Sequence, residues 1–122
     1  MSLTVRVVGV GDAFTAQYFN ACLLVEGDGT RLLLDAPPAL ARALAALGTQ
    51  GGERVGLDDI DHVLITHLHG DHCGGLEQLL FWRRFVTGRR CAVHAIKPVL
   101  EAQALGRSVG GHEHVHAPAQ AR

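Results

Sequence analysis

The chain has 122 residues, 48% of them hydrophobic and 19% charged, with a formal net charge of −1. That balance fits one globular domain with a sizeable core and excludes disorder as its dominant state. The near-neutral charge gives no overall pull toward nucleic acid or an anionic membrane.

The elements follow in chain order. The N-terminal MSLTVRVVGV places an arginine inside a β-branched run, so it reads as a strand over Val5 to Val8 and not as a leader. Gly11 to Phe19 reads as a loop. Ala21 to Glu26 and Arg31 to Leu34 are apolar runs separated by Gly27-Asp28-Gly29, a spacing that predicts a hairpin closed by Asp35. Pro38 to Leu47 is rich in alanine and leucine, opens on proline and stops at Gly48, which predicts a helix. Thr49 to Gly56 is a polar loop, and Leu57 to Ile60 suits one helical turn. His62 to Thr66 reads as a strand covered on both faces. Gly75 to Val86 reads as a second helix, with Leu76, Leu79, Leu80 and Phe85 as its inner face. Cys91 to Ile96 is a further strand, and Pro98 to Leu105 a third helix ending at Gly106. The order predicts a layered α/β domain over residues 1–106, followed by a histidine-rich tail, 107–122, with no core pattern. No apolar run reaches the about 18 residues of a membrane-spanning helix. Three widely spaced cysteines, Cys22, Cys73 and Cys91, argue for reduced thiols and hence for the cytoplasm.

Eight histidines are unevenly placed, and three of them fall in ITHLHGDH, residues 65–72. Directly after a strand, loop side chains are held accurately, as a metal site requires. In an extended segment, residues two apart share a side, so His67 and His69 suit one cation, and the adjacent Asp71 and His72 a second. Imidazole and carboxylate donors accept zinc, iron or manganese without a thiolate. Gly70 permits a bend between the two pairs, and Gly74-Gly75 lets the next helix begin close to the site.

At these residues the chain resembles the metallo-β-lactamase-fold hydrolases, whose signature T-H-L-H-G-D-H follows an apolar strand and precedes G-G-L. The resemblance runs in order over about residues 3 to 100. It includes Leu32 to Asp35, similar to the family's strand that ends in an aspartate beneath the site. Gly9-Val10-Gly11 through Asn20-Ala21-Cys22-Leu23-Leu24 resembles the start of the tRNA 3′-processing endonuclease and phosphodiesterase branch. The resemblance implies an αββα fold of which this chain is the N-terminal half. It implies two divalent metal ions, zinc foremost: His67 and His69 on the first, Asp71 and His72 on the second, and Asp35 supporting them. The implied reaction is hydrolysis of phosphodiester or related ester bonds by metal-activated water, with Asp71 orienting the water or accepting its proton. The implied substrate is such an ester, RNA among the candidates.

In the family, a second half supplies a third histidine for each metal and a bridging aspartate, whereas no aspartate follows Asp71 here. His94 and His112 are further candidate ligands. A structural role is the simpler reading of His94, and a solvated tail that of His112, His114 and His116. The alternative function is therefore a catalytically silent, truncated module that binds metal or a partner. Arg83, Arg84, Arg89 and Arg90, interleaved with Phe81, Trp82 and Phe85, offer a basic patch for RNA or phosphate. The simpler reading is a helix C-terminus complemented by arginines, with the aromatics in the core. Cys73 reads as a small buried residue and His62 as a surface one. A half-fold exposes the apolar face that meets its missing half, so a homodimer or poor solubility is expected. Sedimentation velocity tests this directly, and a well-behaved monomer counts against it.

Overall fold

The computed structural model describes residues 2–106. Five strands form one sheet in sequence order: β1 (Thr4–Gly9), β2 (Cys22–Gly27), β3 (Thr30–Leu34), β4 (His62–Leu64) and β5 (Ala92–His94). The first three form an antiparallel meander, and β3, β4 and β5 run parallel. The hairpin between β2 and β3 turns on Asp28 and Gly29, both with positive φ (51° and 74°). Two such residues make the turn whose twist matches that of the flanking strands.

Alternation decides the faces. Leu24, Leu33, Val63 and Val93 lie in one row across the sheet, each at most 2% exposed. The helices cover this face. In α1 (Leu40–Thr49), Leu40, Ala43, Leu44 and Leu47 are buried, the i, i+3, i+4, i+7 stripe of a half-buried helix. The opposite face carries Val5, Val25, Leu32, His62 and Ala92 in one row and Val7, Leu23, Leu34, Leu64 and His94 in the next. None of these is fully buried among the described residues, and Val5 and Val7 are at least half exposed. The covering of both faces expected for His62 to Thr66 is thus seen on one.

Two helix expectations need correction. Helix α1 runs through Gly48, and the left-handed residues that end the segment are Gly51 and Gly52. The helix predicted over Gly75 to Val86 is instead two pieces, α3 (Leu76–Trp82) and a π-helical turn (Arg83–Thr87), preceded by a short α2 (Gly70–Cys73). Its inner face is Leu76, Leu79 and Leu80, as expected, but Phe85 is 70% exposed and Arg83 only 2%. At about 100° per residue, Phe85 falls opposite Leu76, while Arg83 continues the inner stripe. The buried guanidinium is satisfied by main chain: Nη1 donates to the Asp58 carbonyl, Nη2 to Arg90 O at 2.7 Å and Nε to Arg89 O at 3.2 Å. It ties α3 to the 3₁₀ turn Leu57–Asp59 and to the approach to β5. The aromatics are not core either, since Trp82 is 40% exposed. The last element, α4, spans Lys97–Gly106, and no described helix is long and apolar enough to cross a membrane.

Replacing Arg83 with methionine keeps the volume but strands three carbonyls. A hydrogen bond to a charged group is worth about 1.5–3 kcal/mol, so Arg83→Met, which removes three, should destabilise by at least about 2 kcal/mol. Phe85→Ser should stay within about 0.5 kcal/mol of the parent. Urea unfolding of the two variants beside the parent measures both.

Candidate metal centre

The site begins with a buried carboxylate. Asp35 follows β3, is 6% exposed and has φ of +65°, a left-handed conformation that a non-glycine residue adopts only when its surroundings hold it there. Its backbone N–H continues the ladder by donating to Leu64 O at 2.8 Å. Burying the carboxylate requires donors, and they come from the far side of β4. Asp35 Oδ1 accepts the Thr66 N–H at 2.8 Å, the Thr66 hydroxyl lies 2.9 Å from both carboxylate oxygens, and Oδ2 lies 2.7 Å from His72 Nδ1.

These contacts set the proton positions on two imidazoles. With the Thr66 hydroxyl donating to Asp35, Thr66 Oγ1 is left to accept from His67 Nδ1, 2.8 Å away. His72 Nδ1–H likewise donates to Asp35. Both rings then keep Nε2 as the lone-pair nitrogen, the outer partner fixing the tautomer of a ligand ring. The two rings are 4.1 Å apart, and His72 Nε2 is 3.3 Å from Asp71 Oδ2. The His69 ring stands edge-on to that of His67 at 4.6 Å. Asp35, His67 and His72 each offer a donor atom within 4.8 Å of the others. Because the Asp35 oxygens already face donors from Thr66 and His72, its arrangement is that of an orienting group more than of a ligand. Thr66 was not singled out in the sequence. Its place between a buried strand and the first histidine was the available signal.

The histidine loop is fastened to the Asp35 turn by main chain. Ala36 N donates to His72 O at 2.8 Å, and Gly75 N to Ala36 O at 2.7 Å. A Cβ on Gly75 would lie 2.0 Å from Pro37 O, so only glycine permits this approach. Gly74 is equally close-packed, against Gly70 O and Pro38. Gly70 has open space around it and opens α2, with the N–H groups of His72 and Cys73 donating to His69 O at 2.9 and 3.0 Å.

The remaining candidates lie apart. His94 ends β5, and its Nε2 is 3.0 Å from Nδ1 of His62 on the open sheet face. His62, expected at the surface, is thus half-buried and paired, because its register position in β4 faces the neighbouring strand. His112, His114 and His116 lie outside the described residues. All three cysteines are buried thiols, as Cys73 was expected to be.

The fold and the site together define the class. The solved structures that resemble this chain have the metallo-β-lactamase fold. The Bacillus subtilis fold protein YhfI matches with a TM-score of 0.73 and 20% identity, over 96% of this chain and 44% of that one. Human tRNase Z, short form, matches with a TM-score of 0.62 and 19% identity, over 95% and 46%. Within that class, the family model described as Anti-Pycsar protein Apyc1 matches residues 3–106, and the chain belongs to that family. The relative from Saccharibacillus brassicae, an Anti-Pycsar protein Apyc1, is 42% identical over 88 residues, 72% of this chain. The chain spans 34% of that relative's length.

Cys22 Sγ lies beneath the site, 3.6 Å from Asp35 O. Burial, with the Asp35 charge adding to it, pushes this thiol up to about 12, and burial pushes Cys91 up to about 11. The unfolded thiols ionise near 9.0 while the folded ones keep their protons. Folding stability from these groups is therefore fully present below pH 9 and is lost as pH rises toward the folded values. The urea midpoint should fall between pH 8 and pH 10.5, and fall less steeply in Cys22→Ala. Equal slopes in the two proteins would exclude the thiol as the cause.

Proposed function

We propose that this chain carries the metal-holding part of a hydrolase that acts on phosphodiester or related ester bonds. His67 and His69 hold one divalent cation, and Asp71 and His72 a second. The observation that carries the reading is that Nδ1 of His67 and of His72 lie 2.8 Å from Thr66 Oγ1 and 2.7 Å from Asp35 Oδ2, which leaves each ring its Nε2 for a cation, that of His72 lying 3.3 Å from Asp71 Oδ2. A donor set of imidazole and carboxylate fits Zn²⁺ best, and Fe²⁺ or Mn²⁺ acceptably. Cations there would lower the pKa of water and polarise a phosphoryl oxygen. Asp71, 17% exposed in its side chain, is the group available to orient that water or accept its proton. Asp35 is a positioning residue that acts through Thr66 and His72.

The substrate class rests on resemblance to the phosphodiesterase branch and on the likeness to a tRNase Z. RNA is one candidate among such esters. The family's anti-Pycsar name gives a setting, since its members include proteins of Bacillus phages as well as of bacteria. The open apolar face of the sheet supports a second layer, from a homodimer or a further half-domain. The silent-module reading draws on a different observation: no aspartate follows Asp71 to bridge two metals.

Metal analysis of the purified chain, run beside hydrolysis of an aryl phosphodiester, separates the readings. Two metals per chain with turnover supports the hydrolase; one weakly held metal without turnover supports the silent module. His69→Ala should lose metal and turnover together, and full metal occupancy in that variant overturns the ligand assignment. Asp35→Asn should weaken metal affinity about 10- to 100-fold, the usual effect of removing an orienting partner.

A further inference from the structure

The stretch FWRRFVTGRR, residues 81–90, has no part in the metal centre. Its simpler reading put the aromatics in the core, and the structure puts them outside. Phe85 is 70% exposed, Val86 59% and Trp82 40%. Arg84, Arg89 and Arg90 are exposed as well. Single exposed apolar side chains need no explanation, but a group of them set among arginines does.

The segment is nonetheless fixed. The buried Arg83 guanidinium holds the carbonyls of Arg89 and Arg90, closing residues 83–90 on themselves. Thr87 Oγ1 donates to Arg83 O at 3.2 Å and accepts from Arg89 N at 3.4 Å. The Trp82 indole N–H donates to Asp58 Oδ1, and the Phe81 and Phe85 rings lie 5.8 Å apart. Gly88, with φ of +66° and open space around it, makes the turn. A π-helical turn at the end of a helix is a distortion that recurs at functional sites.

Charge and position say what the surface suits. From Gln78 to Leu100 there is no aspartate or glutamate, against four arginines and Lys97. Arg83 is spent on main chain, and Lys97 lies 3.7 Å from Glu101, so the cations this surface presents are Arg84, Arg89 and Arg90. In a chain of net charge −1 that is a local concentration of one sign. The planar fork of arginine matches phosphate, and an exposed ring offers a face to a base. A two-fold contact centred here would set arginine against arginine, and so short a turn lacks the long apolar stripe of a helix that lies on a membrane. β5 begins at Ala92 and runs parallel to β3 and β4, so Arg89 and Arg90 stand at the amino end of the sheet. Asp35 and the histidine loop follow β3 and β4 at the carboxyl end. The two regions are therefore separate.

We infer that the segment Trp82–Arg90 is a docking surface for single-stranded RNA, with Arg84, Arg89 and Arg90 on phosphates and Phe85 stacked on a base. Such docking needs no turnover and is independent of the hydrolase reading.

Fluorescence anisotropy of a fluorescein-labelled oligouridylate of about twelve nucleotides, titrated with the full-length protein, tests this. Three phosphate contacts on a single strand predict an affinity that falls about 20-fold between about 50 and 200 mM salt. The double variant Arg89→Gln, Arg90→Gln should bind more weakly and lose only about threefold over that range. Phe85→Ser should bind about tenfold more weakly with the salt dependence of the parent, since stacking is not ionic. Metal removal with EDTA at matched ionic strength should leave binding unchanged. Circular dichroism checks that each variant is folded. Absent binding overturns the docking surface, and so does binding that the arginine and phenylalanine variants leave unchanged. Loss of binding with EDTA moves the RNA to the metal centre and overturns it too. Two other occupants are read in parallel: vesicles containing phosphatidylserine by co-sedimentation, and a second copy of the chain by sedimentation velocity. Vesicle binding, or a dimer that Phe85→Ser dissociates, in place of RNA binding overturns the assignment.

Discussion

The buried carboxylate of Asp35 is the constraint on which the rest of this structure depends. A charge taken out of water at the end of a central strand must be met by donors on every side, or the fold loses several kcal/mol. Here they come from one threonine and one histidine, separated from it by 31 and 37 residues in sequence. Meeting that demand requires β4 to lie parallel to β3, so that Thr66 arrives at the level of Asp35. It also requires the loop after β4 to fold back over the β3 end. The left-handed backbone at Asp35 and the glycine at position 75 are what the chain gives up to allow it. The same hydrogen bonds that satisfy the carboxylate order the protons on His67 and His72. The burial of Asp35 and the orientation of the two imidazoles therefore rest on one network.

Much of this was legible in the sequence. The Asp28-Gly29 turn, the strands on either side and the apolar stripe of α1 follow from short-range rules, because each is fixed by neighbours within a few residues. Asp35 and the four loop residues were legible through spacing and resemblance. What escaped was decided at long range. Thr66 matters because of a residue 31 positions earlier. His62 is paired because β5 lies beside β4 in a particular register, and three-residue strands carry too little pattern to announce it. Gly48 read as a stop, yet a helix end is set by where the next residues can turn back, and that freedom lies at Gly51 and Gly52. Phe85 and Arg83 exchanged expected places because an apolar residue was assumed to seek the core. The helical phase placed an arginine there, and three main-chain carbonyls made it tolerable.

The two faces of the sheet show how far the described chain is self-sufficient. On the helix side, burial is complete along the central row. On the other side, two rows of leucine, valine and alanine are interrupted only by His62 and His94, which turn their polar atoms toward one another. One imidazole donates and the other accepts, so the pair removes a donor and an acceptor from an otherwise apolar surface at once. That is the pattern of a surface suited to being covered. It agrees with a chain that spans about a third of its relative's length, whatever covers the face.

The direction of the strands ties these features to function. In sheets with parallel strands, sites collect where the carboxyl ends gather, because loops from several strands meet there over a rigid base. Three strands, β1, β3 and β4, end on the same side of this sheet, and each end has a different character. β3 ends in a buried carboxylate, β4 in a run of imidazoles and a second carboxylate, and β1 in a tied loop that holds an aromatic ring in solvent. A carboxylate alone would be a structural curiosity, and exposed histidines alone a weak metal trap. Strand order sets the first two side by side, and the hydrogen bonds of Thr66 and His72 to Asp35 join them. That junction follows from the parallel register of β3 and β4, which brings the segment after β4 to the level of Asp35.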